Sequence, residues 1–287
     1  MRQQLLRGVV STTISGFALI ASLCASNAQV VYVTTSLQAF GNLDLATGLY
    51  TDQNLGTAAT IGSMTVLPNG DLYGMNVPRP ANNINSTLYK IDPFSGGLTV
   101  LGATTQQLTG LASRPATGSL FASDQNSTLF SISNAGITAQ IGGPGPAASF
   151  DLGALSFGPF GNLYQLQKSA GTDNIFLRDT TTGDALQVNI GPTPLTRARA
   201  LVGAGGLLFA IDDTRAHNNE IFVFNPFSGT VSDTGNFAHF ANGDAIPGFI
   251  DSSTNPAAPV PEPGAMALVA SSLVVGASFL ARRRIRK

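Results

Sequence analysis

The chain has 287 residues, of which 11% are charged, and its formal net charge is −1. Seven of its 15 Lys and Arg lie in the first 28 and the last six residues, so the segment 29–260 keeps eight of them against 15 Asp and Glu, a net charge of about −7. This acidic balance does not support a basic nucleic-acid-binding surface, and the length suffices for one sizeable core.

Residues 1–28 have the parts of a secretory signal peptide. Arg2 and Arg7 form a positively charged N-terminal region, and an apolar stretch follows it. The small residues Ser26 and Ala28 occupy the −3 and −1 positions of the cleavage site. We expect the secretion machinery to export the chain and signal peptidase to cut between Ala28 and Gln29. The only cysteine, Cys24, lies in the removed part, so the mature chain has no thiol for a disulfide, a nucleophile or a metal site.

A repeat runs through the segment that follows. Five stretches, each a short strand and a polar turn closed by Gly, begin 48, 41, 46 and 46 residues apart. They are FGNLDLATG from Phe40, LYKIDPFSG from Leu88, LFSISNAG from Leu129, IFLRDTTTG from Ile175 and IFVFNPFSG from Ile221. Asp44, Asp92, Asp179 and Asn225 share one repeat position. Turn initiation is favoured there over a ring of ligands, because Asx side chains bond to the backbone that follows them.

A second element of the repeat is a Leu-aromatic pair that follows a turn. The pairs begin at Leu72, Leu120, Leu163 and Leu208, spaced 48, 43 and 45 residues apart, and an apolar piece precedes each. Together with the hairpins, this pattern gives about four short strands per repeat, which is the period of a β-propeller blade. Core packing between blades explains the pairs better than a stacking surface for sugars, because they keep their place in the repeat.

The segment 29–254 is therefore predicted to be all-β, as a β-propeller of five four-stranded blades. The N-terminal strand VVYVTTS, from Val30, matches the Leu-aromatic strand that the last repeat lacks. We expect it to complete the last blade and close the ring, which removes exposed sheet edges. Six blades or a β-sandwich are the alternatives. The repeat resembles those of secreted propellers of the NHL or YVTN type.

Few groups in this body suit catalysis: two His, His217 and His239, and one Glu, Glu220. No H-E-x-x-H, P-loop, G-x-S-x-G or dinucleotide-binding motif occurs. The loop IDDTRAHNNEIF places the oxygen ligands Asp212, Asp213 and Glu220 near one another, as a Ca²⁺ site requires. Their spacing does not match an EF-hand loop, so a solvated loop is the favoured interpretation. We predict no metal, no cofactor and no enzymatic activity.

The C-terminus consists of three segments. Residues 255–263, NPAAPVPEP, form a Pro-rich linker. Residues 264–281 carry no charge, and 18 residues at about 1.5 Å each span a bilayer core as a helix. Residues 282–287 form a basic tail, which marks the cytoplasmic side of a membrane. Its cations are Arg282, Arg283, Arg284, Arg286 and Lys287. A buried core helix is the alternative, but such a helix rarely ends in five cations.

Val260, Pro261, Glu262 and Pro263, followed by one apolar helix and a terminal Arg cluster, resemble the PEP-CTERM sorting signal of Gram-negative bacteria. The resemblance covers about the last 28 residues. It implies recognition by an exosortase, a membrane-embedded cysteine protease, and removal of the anchor. The two prolines are expected to hold Glu262 in an extended, exposed segment, as a protease requires. An ordinary linker before a tail anchor is the alternative.

The resemblance implies a non-enzymatic envelope or extracellular-matrix protein, associated with exopolysaccharide or biofilm. We expect the body to lie outside the cytoplasm, first held at the inner membrane by the C-terminal helix and then at the cell surface or beyond. One alternative is a secreted propeller hydrolase or lactonase, which needs several acidic or His residues at one mouth of the channel. Another is a membrane-anchored periplasmic domain whose tail is never cut.

Overall fold

The computed structural model describes residues 30–35, 39–53, 61–76, 85–143, 154–169, 172–189, 195, 198–204, 206–212, 219–244, 246 and 250–252. The predicted signal peptide, linker, membrane helix and basic tail lie outside these residues. The described part contains twenty strands and one 3-10 turn, Pro159–Gly161. It holds no helix that is long and apolar enough to cross a membrane.

The strands form five antiparallel sheets of four strands each, which we number as blades. Blade 1 consists of β20 (Ile250–Ser252), β1 (Val30–Thr35), β2 (Phe40–Asp44) and β3 (Tyr50–Asp52). Blade 2 consists of β4 (Ile61–Val66), β5 (Leu72–Asn76), β6 (Thr87–Ile91) and β7 (Leu98–Ala103). Blade 3 consists of β8 (Leu108–Ser113), β9 (Leu120–Asp124), β10 (Leu129–Ile132) and β11 (Thr138–Ile141).

Blade 4 consists of β12 (Leu155–Phe157), β13 (Leu163–Ser169), β14 (Thr172–Arg178) and β15 (Ala185–Gln187). Blade 5 consists of β16 (Ala198–Ala204), β17 (Leu207–Asp212), β18 (Glu220–Asn225) and β19 (Thr230–Phe237). The first strand of each sheet is the innermost, and these five strands contact one another in a ring around the axis. The prediction of an all-β propeller with five four-stranded blades is confirmed.

Blade 1 closes the ring with strands from both ends of the described chain. β1 pairs with β2 on one side, from Val30 opposite Asp44 to Thr34 opposite Phe40. On its other side it pairs with β20, with Val33 opposite Ser252. The expected closure by the N-terminal strand is confirmed, and it leaves no open sheet edge at the seam.

The Leu-aromatic pairs form the second strand of blades 2 to 5 and are buried, as the core interpretation requires. They are Leu72–Tyr73, Leu120–Phe121, Leu163–Tyr164 and Leu208–Phe209. Buried clusters join adjacent blades: one contains Met75 of blade 2 with Leu111 of blade 3, and another contains Leu166 of blade 4 with Phe222 of blade 5. Because a strand directs successive side chains to opposite faces, each blade packs against both of its neighbours.

The five hairpin turns between the third and fourth strands are built by Asx or Ser side chains, which confirms turn initiation. In the turn of blade 2, Oδ1 of Asp92 accepts a hydrogen bond from the Phe94 N–H at 2.8 Å, and Oδ2 accepts one from the Ser95 hydroxyl at 2.7 Å. Gly96 closes this turn with a φ of 62°, a conformation that side chains rarely adopt. Equivalent turns begin at Asp44, Ser133, Asp179 and Asn225.

These hairpin turns lie at the same end of the propeller as the turns between the first and second strands, and we call it the turn end. The two sets meet between blades. Arg114, in the turn between β8 and β9, donates a hydrogen bond to the Thr180 hydroxyl in the hairpin turn of blade 4. β1 begins and β20 ends at the turn end as well, because Val30 lies opposite Asp44 and Ser252 lies opposite Val33.

Close backbone contact between blades requires glycine at repeated positions. A Cβ at Gly102, near the end of β7, would lie 1.9 Å from the Ala135 carbonyl oxygen in the hairpin turn of blade 3. A Cβ at Gly142, after β11, would lie 2.0 Å from the Thr182 carbonyl oxygen in the hairpin turn of blade 4. The outer strand of one blade therefore rests on the backbone of the next hairpin turn, with no room for a side chain.

Hydroxyl side chains bridge neighbouring inner strands near the axis. Ser63 and Thr65 of β4 accept hydrogen bonds from the backbone N–H groups of Leu111 and Ser113 in β8, at 2.7 and 2.9 Å. Ser156 of β12 accepts one from Gly203 of β16 at 2.8 Å. These bonds satisfy backbone donors that no neighbouring strand within the blade reaches, which would otherwise cost free energy on burial.

We predict that Gly102→Ala lowers the free energy of unfolding by about 1–3 kcal/mol, because the added methyl overlaps a backbone carbonyl that cannot turn away. Urea unfolding followed by circular dichroism measures the change. Gly143→Ala is the matched control, since a Cβ there meets no atom within 4 Å, and we expect it to be neutral or slightly stabilising. Equal effects of the two substitutions would contradict the packing argument.

The Asp92 carboxylate should make the stability of the fold depend on pH. The hydrogen bonds from Ser95 and Phe94 lower the pKa of Asp92 below its ordinary value. A carboxyl with a lower pKa in the folded state stabilises the fold above its unfolded pKa, and this contribution disappears as the pH falls through the folded pKa. Asp92→Asn produces the NPFSG turn that the chain already uses at Asn225, so it should retain the turn.

We expect the free energy of unfolding of Asp92→Asn to fall less between pH 7 and pH 3 than that of the wild type. At neutral pH the variant should keep the wild-type fold. Thermal unfolding at the two pH values measures this difference. Asp52→Asn serves as the control, because that side chain lies in a strand rather than in an Asx turn. An unchanged pH dependence in Asp92→Asn would show that the turn carboxylate does not contribute to acid stability.

Candidate functional site

A concavity among the described residues lies at the turn end of blade 4 and has a volume of about 470 Å³. This volume falls within the range of small-molecule sites, roughly 300–1,000 Å³. Its polar lining comes from the turn between β12 and β13 and from the hairpin turn between β14 and β15. The polar residues are Asn162, Arg178, Asp179, Thr180, Thr181 and Asp184.

Arg178 forms the inner wall of this cavity, and only 3% of its surface is exposed. One terminal nitrogen, Nη1, donates to the Ser127 carbonyl at 3.0 Å and to Gln165 Oε1 at 2.6 Å. The other, Nη2, donates to the Gly183 carbonyl at 2.7 Å. Burial lowers the pKa of the Arg178 guanidinium, and the carboxylates of Asp184 and Asp124 oppose that shift. The cation thus fastens blade 4 to blade 3 through neutral oxygens.

The cavity rim carries two carboxylates from one hairpin turn. Asp179 Oδ1 accepts hydrogen bonds from the N–H groups of Thr181 and Thr182, at 2.7 and 3.1 Å. These bonds lower the pKa of Asp179, so it is ionised at neutral pH. Asp184 Oδ2 accepts the Thr182 hydroxyl at 2.8 Å. Because both terminal nitrogens of Arg178 bond to protein oxygens and its Nε is buried, the rim presents mainly hydrogen-bond acceptors and negative charge.

Two exposed aromatic rings stand beside the cavity. Phe160 directly precedes Gly161 and Asn162, which line the cavity, and 64% of its surface is exposed. Phe227 lies in the hairpin turn of blade 5, where 74% of its surface is exposed. Their ring centroids are 5.6 Å apart with an edge-to-face angle of 74°. We call these two rings the aromatic pair.

The backbone of Phe160 has an unusual conformation, with φ 64° and ψ 16°. A bulky residue in this left-handed region costs about 1–2 kcal/mol relative to the ordinary helical conformation. Such outliers occur preferentially at binding and active sites, where surrounding structure holds them in place. Here the conformation belongs to the turn that presents the Phe160 ring to solvent.

Arg114 supports the opposite side of the site. Its guanidinium lies over the Phe121 ring at 5.1 Å and near the Phe157 ring at 5.8 Å from the centroids. It donates to the hydroxyl of Thr180, which lines the cavity. Stacking of this kind fixes a guanidinium plane, so the Arg114 contact holds the hairpin turn of blade 4 against blade 3.

The structure brings together two of the three candidate calcium ligands. Asp212 at the end of β17 and Glu220 at the start of β18 are directly opposite in the ladder. Asp213 lies outside the described residues. No group of three or more His, Cys, Asp or Glu that could hold a metal occurs among the residues that the structure describes. These carboxylates lie at the opposite end of blade 5 from the cavity, since its hairpin turn follows Asn225.

The residues of the predicted processing sites also lie outside the described residues. They are Ala28, Gln29, Val260, Pro261, Glu262, Pro263, Arg282, Arg283, Arg284, Arg286 and Lys287. The predictions that rest on them stay predictions.

The motifs and repeats of the sequence did not indicate the aromatic pair or Arg178 as site residues. A signal for Phe227 was present, because NPFSG and DPFSG place a Phe at the tip of a tight turn, where no core can receive it. Phe160 has a weaker signal, a Phe between Pro159 and Gly161 in a turn. Arg178 has none, since its partners lie in three separate elements that only the assembled blades bring together.

Comparisons with known proteins assign no family to this chain. No protein-family model matches the chain, and neither does any curated protein. Many solved structures are similar. One is a protein of unknown function from Bacteroides thetaiotaomicron, with a TM-score of 0.49, 12% identity and coverage of 72% of this chain and 58% of that one.

Two further similar structures come from other bacteria. TolB from Acinetobacter baumannii has a TM-score of 0.45 and 11% identity, with coverage of 79% of this chain and 53% of that one. An auxiliary nutrient binding protein from Bacteroides ovatus has a TM-score of 0.47 and 13% identity, with coverage of 70% and 53%. The chain thus spans little more than half the length of these three proteins.

We predict that Arg178→Lys lowers the free energy of unfolding by about 2–3 kcal/mol, because one ammonium cannot reach three separated oxygens and leaves buried acceptors unsatisfied. Urea unfolding measures the loss. Arg114→Lys is the matched control, since it removes a stacked guanidinium with one hydrogen bond, and we expect a loss of about 0.5–1 kcal/mol. An equal or larger loss in the control would assign the joint between blades to Arg114 instead.

Proposed function

We propose that this chain is an exported envelope protein that an exosortase sorts through its C-terminal signal, and that it acts by binding or as a structural component rather than as an enzyme. The observation that carries the proposal is the closure of the ring in blade 1. Because β1 and β20 pair with each other there, the body is a closed unit at its seam, which suits delivery to a surface as an intact piece.

The direction of the chain ends supports the sorting part of the proposal. β20 ends at Ser252, at the turn end. Eleven residues, 253–263, then lead to the apolar segment 264–281, and a Pro-rich linker of this length reaches roughly 34 Å. On this proposal the body stands outside the inner membrane with its turn end toward the bilayer until the signal is cut. It then reaches the cell surface or the extracellular matrix.

The composition supports the non-enzymatic part. One Glu and two His leave Asp as the main proton-transfer group of the body, and the two Asp side chains at the cavity rim accept hydrogen bonds within their own turn. The partners on this proposal are signal peptidase and the secretion machinery, the exosortase, the membrane and an envelope component such as exopolysaccharide. Fold alone does not assign the activity, so the processing itself is the first test.

We predict that the protein purified from its own host ends within residues 260–263, because the sorting signal is cut there. Intact mass spectrometry measures the C-terminus. A variant with Pro261→Ala, Glu262→Ala and Pro263→Ala should keep residues 282–287, since the extended recognition segment is lost. The matched control, Pro256→Ala with Pro259→Ala, changes the same linker outside the motif and should be processed normally. A wild-type protein that retains Lys287 would instead be a membrane-anchored periplasmic protein.

A further inference from the structure

We propose that the cavity of blade 4 and the aromatic pair form a binding subsite for a neutral polysaccharide. This inference rests on the proposed function and names the ligand class of an envelope-binding propeller.

The aromatic pair presents apolar surface that the fold does not use. Phe has no polar tip, so exposing 64% of Phe160 and 74% of Phe227 leaves much of both rings in water. A pyranose has one face of C–H groups, and the negative face of an aromatic ring attracts such polarised hydrogens. The two rings already contact each other edge to face at 5.6 Å, and a contact that restricts their rotamers reduces the ordering cost of binding.

Phe160 occupies a left-handed backbone position at which Gly or Asn is energetically favoured over Phe. At φ 64°, Gly or Asn would relieve the conformational cost that Phe incurs. Its ring is mostly exposed and its only described ring partner is Phe227, so packing compensates little. A binding role explains why an exposed Phe stands there.

The rim supplies the directional contacts that a sugar needs. Asp179, Asp184 and Asn162 offer carboxylate and amide oxygens to ligand hydroxyl donors, and Thr181 offers a hydroxyl. Asp184 uses Oδ2 for the Thr182 hydroxyl, and no protein donor among the described residues reaches its Oδ1. Polar groups arranged around a concave floor beside an apolar platform match the chemistry of a carbohydrate, which is hydroxylated at its edges and apolar on one face.

Charge selects a neutral ligand over an acidic one. Among the described lining residues, the rim holds two carboxylates, and the cation of the inner wall, Arg178, is buried with both terminal nitrogens bonded to protein oxygens. A uronate or sulfate chain would therefore meet like charge at the rim, above a cation that is already engaged. A flat protein partner would not use the concave polar floor, so the neutral polysaccharide fits both parts of the site.

The chain provides an internal control. Phe94 lies in the DPFSG turn of blade 2, at the position that Phe227 holds in NPFSG, and 89% of it is exposed. No ring stands beside Phe94 in the described structure. The reason is topological, because a hairpin turn lies beside the turn between the first two strands of the preceding blade. The hairpin turn of Phe94 faces blade 1. The first two strands of that blade, β20 and β1, are the two ends of the described chain, so no turn that could carry a second ring joins them.

The test measures binding of the full chain to an array of neutral glucose, galactose and mannose oligosaccharides, with alginate oligosaccharides as acidic probes. The protein is kept in a detergent without a sugar headgroup, and hits are titrated by calorimetry. We expect binding to at least one neutral oligosaccharide and none to alginate. Phe227→Ala and Phe160→Asn should weaken binding at least tenfold, whereas Phe94→Ala should not change it.

The Phe160→Asn variant separates binding from stability. We expect its denaturation midpoint to equal or exceed that of the wild type, because Asn tolerates the left-handed backbone, while its affinity falls. The proposal is overturned if no neutral oligosaccharide binds, if alginate binds preferentially, or if Phe94→Ala weakens binding as much as Phe227→Ala. It is also overturned if the wild type is a dimer that Phe227→Ala dissociates, since the rings would then contact a second copy.

Failure here is distinguishable from failure of the proposed sorting. Glycan binding is measured on unprocessed protein, whereas sorting is measured by the C-terminal mass in the host. A protein that is cut within 260–263 but binds no neutral oligosaccharide would keep the proposed function and lose this inference. An uncut protein that binds a neutral oligosaccharide through the aromatic pair would keep this inference and lose the proposed sorting.

Discussion

Backbone contact without an intervening side chain joins the outer strand of one blade to the hairpin turn of the next. Gly102 meets the carbonyl of Ala135, and Gly142 meets the carbonyl of Thr182, at distances that leave no space for a Cβ. At the closing blade, Gly48 approaches the Phe237 carbonyl in the same way. Since these contacts recur around the ring, they set the angle between blades, and the buried clusters and inner-strand bonds depend on that angle.

The same contacts determine where polar and aromatic side chains of different blades come together. They press a hairpin turn against the preceding blade, so the groups of two turns meet at the turn end wherever that blade has a turn between its first two strands. At the joint of blades 3 and 4, Arg114 in the turn between β8 and β9 reaches Thr180, while Arg178 reaches the Ser127 carbonyl in the connection between β9 and β10, which does not belong to the turn end. At the joint of blades 4 and 5, Phe160 meets Phe227. A repeated scaffold thereby produces one distinctive site, because the turn residues differ while the strands are alike.

The turn end also links this site to the proposed route of the protein. The chain enters β1 and leaves β20 there, beside the hairpin turn of Asp44. A body tethered by that end would present its cavity and aromatic pair toward the bilayer, and release from the tether would expose them to the matrix. Processing and ligand contact would then be consecutive steps in one process.

The sequence by itself determined the number of blades, the strands and the closure, because the alternation of apolar residues, the Asx turns and the glycines act locally and recur about every 46 residues. It also indicated turn initiation by Asp92 and the burial of the Leu-aromatic pairs. Only the tertiary structure decided the candidate site. The pairing of Phe160 with Phe227 and the oxygens around Arg178 depend on how adjacent blades are placed, and contacts between distant segments leave no period in the sequence.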